Sequence, residues 1–584
     1  MKTLLRFPLL LLLAVQASAA AISWQPWSDE VFARAKRENK FVLLDLEAVW
    51  CHWCHVMEET TYRDPAVVAR MKERYIAVRV DQDSRPDLSN RYEDFGWPAT
   101  IIFAPDGSEI VKKQGYIPPA RMAAMLQGII DDPSPLGGRE APATVASAGS
   151  PAARAAELRD LLYQGYDDKE GGWGFSHKFL DGDTVEYALR EAGRGDQQAA
   201  AKARAALRLQ RKLLDPVWGG VYQYSAGGNW DEPHFEKIIS MQAENLRIYA
   251  LAYARWGEAD HLGMARAIHG YLRNFLTSPE GVVYTSQDAD LVPGEHSAEY
   301  YALDDAGRRA RGIPRIDQHI YARENGWVIA ALVQLAGSTG DDTYRAEAER
   351  AARWIIAHRA LKGGGFRHDE KDADGPYLGD TLAMGRAFLA LHQLTQQPEW
   401  LGHAVAAADF IRAHFARGEL PGYASSDTTR VTFPAPRPQY DENAGLARFA
   451  LALARVTGLA EYRTLADPAL RWILAPEVTV GRGFYVGGAL LAEEEARTEP
   501  VHVMILGAKS DPVARAMFAA ALRLPDQHKL VEWWDRGEGP APRGEAIFPE
   551  MDQAAAFLCA NGACSLPLTS AAALEKRLAR LNQR

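Results

Sequence analysis

Two cysteines with a histidine between them form the clearest chemical pattern in the sequence. Cys51 and Cys54 are separated by His52 and Trp53, and they follow an apolar run at 41–46. That run predicts a buried strand, and the residues after Cys51 have a helical pattern, so the pair lies on a strand-to-helix turn. A helix N-terminus and a neighbouring histidine both favour the thiolate, which is the attacking species in disulfide exchange. The spacing therefore predicts a redox-active dithiol.

Two further residues belong to the same pattern. Asp45 lies on the predicted strand, where a buried carboxylate could exchange a proton with Cys54; the alternative is that it satisfies a backbone group. Pro98 precedes a second predicted strand, 101–103, and is a candidate cis proline. Together with Trp-Cys-x-x-Cys at 50–54, these residues resemble thioredoxin. The resemblance implies that Cys51 attacks, that Cys54 resolves and that Pro98 lines the substrate groove.

Two other readings of the cysteine pair are weaker. With His55 the pair also spells Cys-x-x-Cys-His, the covalent haem attachment motif, but Trp53 inside the pair and the matching Asp45 and Pro98 favour thioredoxin. A zinc site would crowd both cysteines, His52 and His55 onto one turn, and the sequence has no second Cys-x-x-Cys. No metal or cofactor is therefore predicted.

The net charge argues against a nucleic-acid-binding protein, and the first residues indicate a protein that works outside the cytosol. The 584 residues carry a net charge of −10, with no basic run that would suggest nucleic acid. Residues 1–20 have a basic start, an apolar centre and small residues at 17–19, which predicts a signal peptide and a periplasmic or secreted protein. An uncleaved anchor is the alternative. No other apolar run is long enough to span a membrane.

The elements around the dithiol predict a multidomain chain. Helical and strand patterns alternate over 21–132 as in a thioredoxin-like α/β domain, and 133–151 is a linker rich in Pro, Gly, Ala and Ser. Beyond it, six glycine-aromatic loops alternate with pairs of helical patterns; they lie at 171–175, 219–222, 281–284, 363–366, 422–423 and 481–485. This repeat predicts an all-α (α/α)6 toroid over 152–499, with a helical solenoid as the alternative.

The last residues, 500–584, have mixed strand and helix patterns and predict a small α/β segment. This segment contains the second cysteine pair, Cys559 and Cys564. Asn561-Gly562 between them predicts a turn that would allow a disulfide. The pair is either a local structural bridge or a partner that exchanges with Cys51 and Cys54.

Polar residues after several of the loops could form a binding site on the toroid. They are predicted to open the next helix, where acids and aromatic rings at the mouth of a toroid suit sugars. The alternative is that acids in a first turn favour the helix dipole and that the loops serve packing. The candidates are His234, Glu236, Lys237, Glu324, Asp380, Asp441 and Glu442. Asp288 and Asp290 with Glu295 could hold a hard cation or cap a turn.

The chain as a whole resembles the thioredoxin-domain proteins of the spermatogenesis-associated protein 20 and YyaL type. The matching residues lie at 51–57, 96–98, 171–172, 178–179, 233–237, 288–290 and 559–564. The resemblance implies a thioredoxin fold joined to a six-hairpin glycosidase-like toroid, with no reaction securely assigned to either. The chain departs from the pattern in its signal peptide, in a single glycine before Trp97 and in a short loop at 83–96, and we expect substrate access to the dithiol to differ as a result.

The sequence therefore predicts thiol-disulfide exchange, with protein thiols or disulfides as partners and a toroid that binds a carbohydrate or a protein. Two alternatives remain open. One is a carbohydrate-active enzyme of epimerase or hydrolase type in which the dithiol is regulatory. The other is a binding or chaperone-like protein that catalyses nothing.

Overall fold

The computed structural model describes residues 21–135, 151–371, 375–429, 433, 435–539, 548–560 and 563–581. The predicted signal peptide, most of the predicted linker and the Asn561-Gly562 turn lie outside these residues. The chain divides into two compact units. The first contains the described residues up to 47 together with 53–80 and 95–135. The second contains 48–52, 81–94 and the described residues from 151 onward.

The thioredoxin-like region is built on a four-stranded sheet with the strand order β2-β1-β3-β4, in which β3 is antiparallel to both β1 and β4. Phe41, Leu43, Met57, Ile102 and Leu126 belong to its buried core. The elements are α1 (Asp29–Glu38), β1 (Phe41–Glu47), α2 (His52–Thr60), α3 (Pro65–Arg74), β2 (Tyr75–Asp81), α4 (Pro86–Arg91), β3 (Ala99–Phe103), β4 (Glu109–Gln114) and α5 (Pro119–Asp131). The predicted α/β class is confirmed.

The second unit is mostly helical. Its α-helices from residue 151 to residue 497 are α6 (Pro151–Gln164), α7 (Gly182–Gly193), α8 (Gln197–Gln210), α9 (Ile239–Trp256), α10 (Ala259–Tyr271), α11 (Ala298–Tyr301), α12 (Asp305–Arg311), α13 (Ala322–Thr339), α14 (Asp342–Arg359), α15 (Leu378–Thr395), α16 (Pro398–His414), α17 (Tyr440–Thr457), α18 (Ala460–Ile473), α19 (Pro476–Arg482) and α20 (Gly487–Arg497).

Six of these helices form a closed inner ring. In order, α7, α9, α13, α15, α17 and α20 each pack against the next, and α20 packs back against α7. The helices α8, α10, α14, α16, α18 and α6 each pack mainly on one inner helix and form the outer layer. A solenoid would leave its first and last repeats apart, so this closure identifies the (α/α)6 toroid.

The prediction that 233–237 opens a helix is wrong. The inner helix α9 begins at Ile239, and the residues before it form short strands. Extended backbone here can hydrogen-bond with neighbouring loops, which satisfies polar groups that a helix would have used internally. The strands are β5 (Tyr224–Ser225), paired with β6 (Pro233–His234), and β7 (Lys237–Ile238), paired with β8 (Ser286–Gln287), which pairs with β9 (Ile316–Asp317).

The C-terminal residues form the predicted α/β segment. Its sheet has the order β11-β10-β12-β13, with β10 and β11 parallel and the other pairs antiparallel. Its elements are β10 (Val501–Leu506), α21 (Pro512–Leu522), β11 (Lys529–Trp534), β12 (Ala555–Ala560), β13 (Ala563–Cys564) and α22 (Ala571–Leu581). Cys559 and Cys564 face each other across β12 and β13 and form a disulfide, with their Cα atoms 4.0 Å apart. Among the described residues, no helix has both the length and the apolar character needed to cross a bilayer.

Candidate functional site

The dithiol lies after the end of β1, at the start of α2. Cys51 directly precedes the first residue of α2, and Cys54 lies in its first turn. The two are disulfide-bonded to each other, and each is only 4% exposed. Trp53, between them, is 42% exposed. The Trp97-Pro98 bond is cis, as the sequence predicted.

Asp45 is buried on β1 in the first unit, and its partner is a side chain rather than the backbone group considered above. Arg79 on β2 donates from Nε to Asp45 Oδ2 at 3.0 Å and also contacts Glu47 and Glu58. Burial raises the pKa of Asp45, and the Arg79 charge opposes that shift. Arg79 was not among the residues predicted from the sequence, although a lone charge inside the apolar run of β2 was a usable signal.

The residues on either side of Cys51 are held by the toroid, because 48–52 belongs to the second unit. His52 Nδ1 lies 2.8 Å from Oδ1 of Asp290, a residue that is 2% exposed. A carboxylate only accepts, so Nδ1 carries the hydrogen. The Trp50 carbonyl accepts from the Ala289 backbone N–H at 3.4 Å. Asp290 thus positions the imidazole of the residue that follows Cys51.

A second toroid carboxyl lies at the start of α2. Glu236 is 3% exposed, and burial raises its pKa to about 7. Hydrogen bonds from its own backbone and from the backbone of His52 lower the pKa, but by less than burial raises it. His234 Nδ1 is 3.9 Å from Glu236 Oε2, and its ring stacks on Tyr224 with the centroids 4.2 Å apart. Burial and then the nearby His52 lower the pKa of His234 to about 4. Two predicted toroid residues, His234 and Glu236, therefore lie beside His52.

Asp288 and Asp290 also support the loop that contains them. Asp288 Oδ1 accepts from the Asp290 backbone N–H at 2.9 Å, and Asp290 Oδ2 accepts from the Gly294 backbone N–H at 2.8 Å. These are the turn-capping contacts that the sequence offered as the alternative to a cation site.

A third carboxylate, Asp380 at the start of α15, holds a buried histidine. His368 Nδ1 is 2.9 Å from Asp380 Oδ1, and His368 Nε2 is 2.6 Å from the carbonyl oxygen of Asp83. Both partners only accept, so both ring nitrogens donate and His368 is an imidazolium. Burial alone would lower its pKa, but the Asp380 carboxylate raises it to about 9. This cation joins the 81–94 segment to the inner ring.

The other predicted acids are engaged in separate places. Glu442 accepts from Asn90 Nδ2 at 3.0 Å and from Ser425 Oγ at 2.6 Å, and burial raises its pKa to about 7. Asp441 pairs with Arg482 at 2.9 Å. Glu324 pairs with its neighbour Arg323 at 2.6 Å.

Lys237 points into the helical layer instead of a mouth. Its Nζ donates to Asp215 Oδ2 at 2.6 Å and to the Gly219 carbonyl at 2.9 Å, and its side chain is fully buried. Lys178 makes the same pair of contacts with Asp167 and the Gly174 carbonyl. Both lysines therefore lock a glycine loop in place, which is a structural role.

Two groups within the second unit contain donor atoms that could hold a metal ion, with ligand atoms within 4.8 Å of one another. In the group of Glu324, His368 and Asp380, both nitrogens of His368 already donate hydrogens, so that residue has no lone pair to give a metal. The other group is Asp81, Asp83 and Asp317. In it, Asp83 Oδ2 accepts from Trp50 Nε1 at 2.7 Å, and burial raises the pKa of Asp83.

The fold and the dithiol define the class of the protein: a thioredoxin-like domain with a Cys-x-x-Cys pair, joined to an (α/α)6 toroid. Residues 11–131 match the family model Thioredox_DsbH, described as a protein of unknown function, DUF255. The human spermatogenesis-associated protein 20 is 21% identical over 95% of this chain and 90% of its own length. The predicted resemblance to that family is confirmed.

Other relatives match parts of the chain. Mouse spermatogenesis-associated protein 20 is 27% identical over 47% of this chain, a stretch that spans only 39% of the mouse protein. The thiol:disulfide interchange protein DsbD 1 of Pseudomonas aeruginosa is 42% identical over 14% of each chain.

Solved structures are similar to part of the chain at low identity. A D-mannose isomerase matches 61% of this chain and all of its own, with 12% identity and a TM-score of 0.46. The cellobiose 2-epimerase of Spirochaeta thermophila matches 60% of this chain and 98% of its own, with 15% identity and a TM-score of 0.45.

Proposed function

We propose that the protein is a thiol-disulfide oxidoreductase in which the toroid positions the dithiol. The observation that carries this proposal is the placement of Cys51 at the start of α2, bonded to Cys54 and followed by a histidine that Asp290 holds. The similarity of the first domain to the thiol:disulfide interchange proteins supports the same chemistry. The predicted signal peptide supports a site of action in the periplasm or outside the cell.

The exchange needs only the two cysteines and a partner disulfide. In the reducing direction the Cys51 thiolate attacks one sulfur of the partner, so that a mixed disulfide forms and the other partner sulfur leaves as a thiolate. The Cys54 thiolate then attacks Cys51 Sγ and releases the second partner sulfur. The partner gains two electrons and the dithiol becomes the disulfide. The oxidising direction is the reverse of these two steps.

The toroid's part in this proposal is to hold the residues around Cys51. Trp50 and His52 are bonded to the 289–290 loop, and Glu236 lies at the first turn of α2. The carbohydrate alternative gains no support from the same contacts, because Glu442 and the His368–Asp380 pair bind the chain's own residues Asn90 and Asp83. Sugar binding by the predicted toroid residues stays a prediction.

Trapping partners with a Cys54→Ala variant tests the proposal. Without Cys54 the mixed disulfide cannot be resolved, so partner proteins should accumulate on Cys51 as adducts that a reductant releases. Cys51→Ala, Cys54→Ala should trap nothing. The control Cys559→Ser, Cys564→Ser should keep the wild-type rate of disulfide exchange unless the second pair relays electrons to the first. If Cys54→Ala forms no adduct and the wild type exchanges no disulfide, the proposal is wrong.

A further inference from the structure

The six inner helices of the toroid carry a layer of charge across the middle of the ring. Counted from the first residue of each helix, the ninth position is Arg190 on α7, Arg247 on α9, Ala330 on α13, Arg386 on α15, Arg448 on α17 and Glu495 on α20. Because the inner helices run around one axis, equal positions lie at about the same depth. Four arginines therefore share this layer with one carboxylate.

Three of the four arginines are paired with acids. Arg190 binds Glu494 at 3.0 Å and Glu495 at 2.8 Å. Arg247 and Arg448 both bind Glu186, and Arg448 also binds Glu495 at 3.0 Å. These buried pairs compensate their charges.

Arg386 is the exception. Within the described residues, its guanidinium has no hydrogen-bond partner and no carboxylate within 4 Å. Burial and then the neighbouring Arg448 and Arg247 lower its pKa, because the protein around it disfavours the charge. Arg386 is half-buried, and the more distant Asp183 and Glu186 offset its charge only in part, so its guanidinium is placed to bind an anion.

A cavity of about 210 Å³ opens in front of Arg386. Arg247, Arg448, Arg455 and Lys529 also line it, against one lining carboxylate among the described residues, Glu495. The lining also includes apolar side chains, among them Val333, Leu389 and Leu394. Pockets for drug-sized ligands begin at about 300 Å³, so this one suits a smaller molecule.

We propose that this cavity binds a small organic anion. Its carboxylate or phosphate head would accept from the forked donors of Arg386, and its apolar part would lie against Val333 and Leu389. The cavity is formed by the second halves of α13, α15 and α17 and by residues 522–530 of the C-terminal segment. It is thus separate from the residues around His52, and the proposal does not depend on the redox function.

The experiment uses the full chain and two probes, inorganic phosphate and hexanoate, at an ionic strength matched with chloride. Calorimetry and the thermal unfolding midpoint should detect binding of at least one probe, and the one that binds identifies the head group. In Arg386→Gln the affinity should fall at least about tenfold, the loss expected for a charge-assisted hydrogen bond. The control Arg266→Gln, on the exposed face of α10, should bind like the wild type.

The change in unfolding temperature of Arg386→Gln distinguishes an arginine that binds a ligand from one that stabilises the fold. Without added anion, Arg386→Gln should unfold at the same or a higher temperature than the wild type, because it removes a charge that its neighbours offset only in part. If that variant does not fold, Arg386→Lys should fold and bind the probe more weakly, since it lacks the forked donors. Wild type that binds neither probe, or an Arg386 variant that binds as tightly as wild type, would overturn the proposal.

Discussion

At the scale of single residues, opposite charges compete at Cys51. The N-terminus of α2 favours the thiolate, as the sequence predicted, but the structure adds two carboxyl groups that the sequence analysis did not place there. Asp290 is 2.8 Å from His52 Nδ1, and Glu236 interacts with the His52 backbone. An ionised carboxylate disfavours a nearby thiolate, so the charge state of Glu236 should modulate Cys51.

Replacing Glu236 with glutamine tests this competition. Because the pKa of Glu236 is raised to about 7, it is partly ionised at neutral pH, where it raises the pKa of a neighbouring thiol. In the reduced protein, Glu236→Gln should lower the thiol pKa of Cys51, so the midpoint of its alkylation rate against pH should move to lower pH by about one unit.

Glu244→Gln is the matched control, since burial also raises the pKa of Glu244, to about 8, but its neighbours are Arg247 and acids of the inner helices. It should leave the alkylation rate unchanged. A Glu236→Gln variant with the wild-type profile of rate against pH would mean that this carboxyl does not affect the dithiol.

At the scale of elements, much of the toroid could be predicted from the sequence. The glycine loops predicted where the hairpins end. Gly171, Gly172, Gly219 and Gly220 have positive φ, which other residues rarely adopt, so the turns require glycine at these positions. The start of α9 was misplaced by several residues. The sequence of 233–237 is polar like a first turn, but its backbone pairs with neighbouring strands and is extended instead.

His368 links two elements that lie far apart in the sequence, and its charge makes that link depend on pH. The folded pKa, about 9, is above the unfolded value of 6.5. The stabilisation is therefore complete below pH 6.5 and is lost as the pH rises through 9. The shift corresponds to about 3 kcal/mol.

We expect the free energy of unfolding of the wild type to fall by about that amount between pH 6.5 and 9.5. His368→Gln should be less stable at pH 6 and should lack this decline, as urea titrations at a series of pH values would show. His358→Gln, on the exposed face of α14, is the control and should keep the wild-type slope. A decline that persists in His368→Gln would assign it to other groups.

At the scale of the whole molecule, the composition of the second unit was not predicted from the sequence. Residues 48–52 and 81–94 belong by sequence to the thioredoxin-like region, yet they group with the toroid. The contacts responsible join residues 238 to 352 positions apart, such as His52 with Asp290 and Asn90 with Glu442. A hydrophobic period reports which face of an element is buried, but it carries no information about partners at such separations.

The same contacts bury several carboxyl groups, and burial reverses the usual effect of pH on their contribution to stability. The pKa of Glu93 and of Glu442 is raised to about 7, and that of Asp81 to about 6, in each case chiefly by burial. Between pH 4.5 and 7 an unfolded glutamate loses its proton while the folded one keeps it. The folded state then binds more protons, so its stability falls as the pH rises through this range.

The variant Glu442→Gln tests the contribution of one of these carboxyl groups. Glutamine resembles the protonated acid, and it can still hydrogen-bond with Ser425 and Asn90. Its stability relative to wild type should rise by about 3 kcal/mol between pH 4.5 and 7.5, which is the value of the shift in Glu442. The exposed Glu399→Gln should show no such trend.

In the wild type, amide hydrogens of 81–94 should be better protected at pH 5.5 than at pH 7.5 after correction for intrinsic exchange. The amide protection could instead be equal at pH 5.5 and 7.5, and the difference in stability between Glu442→Gln and wild type could be independent of pH. Those two results would show that the 81–94 segment is held independently of these carboxyl groups.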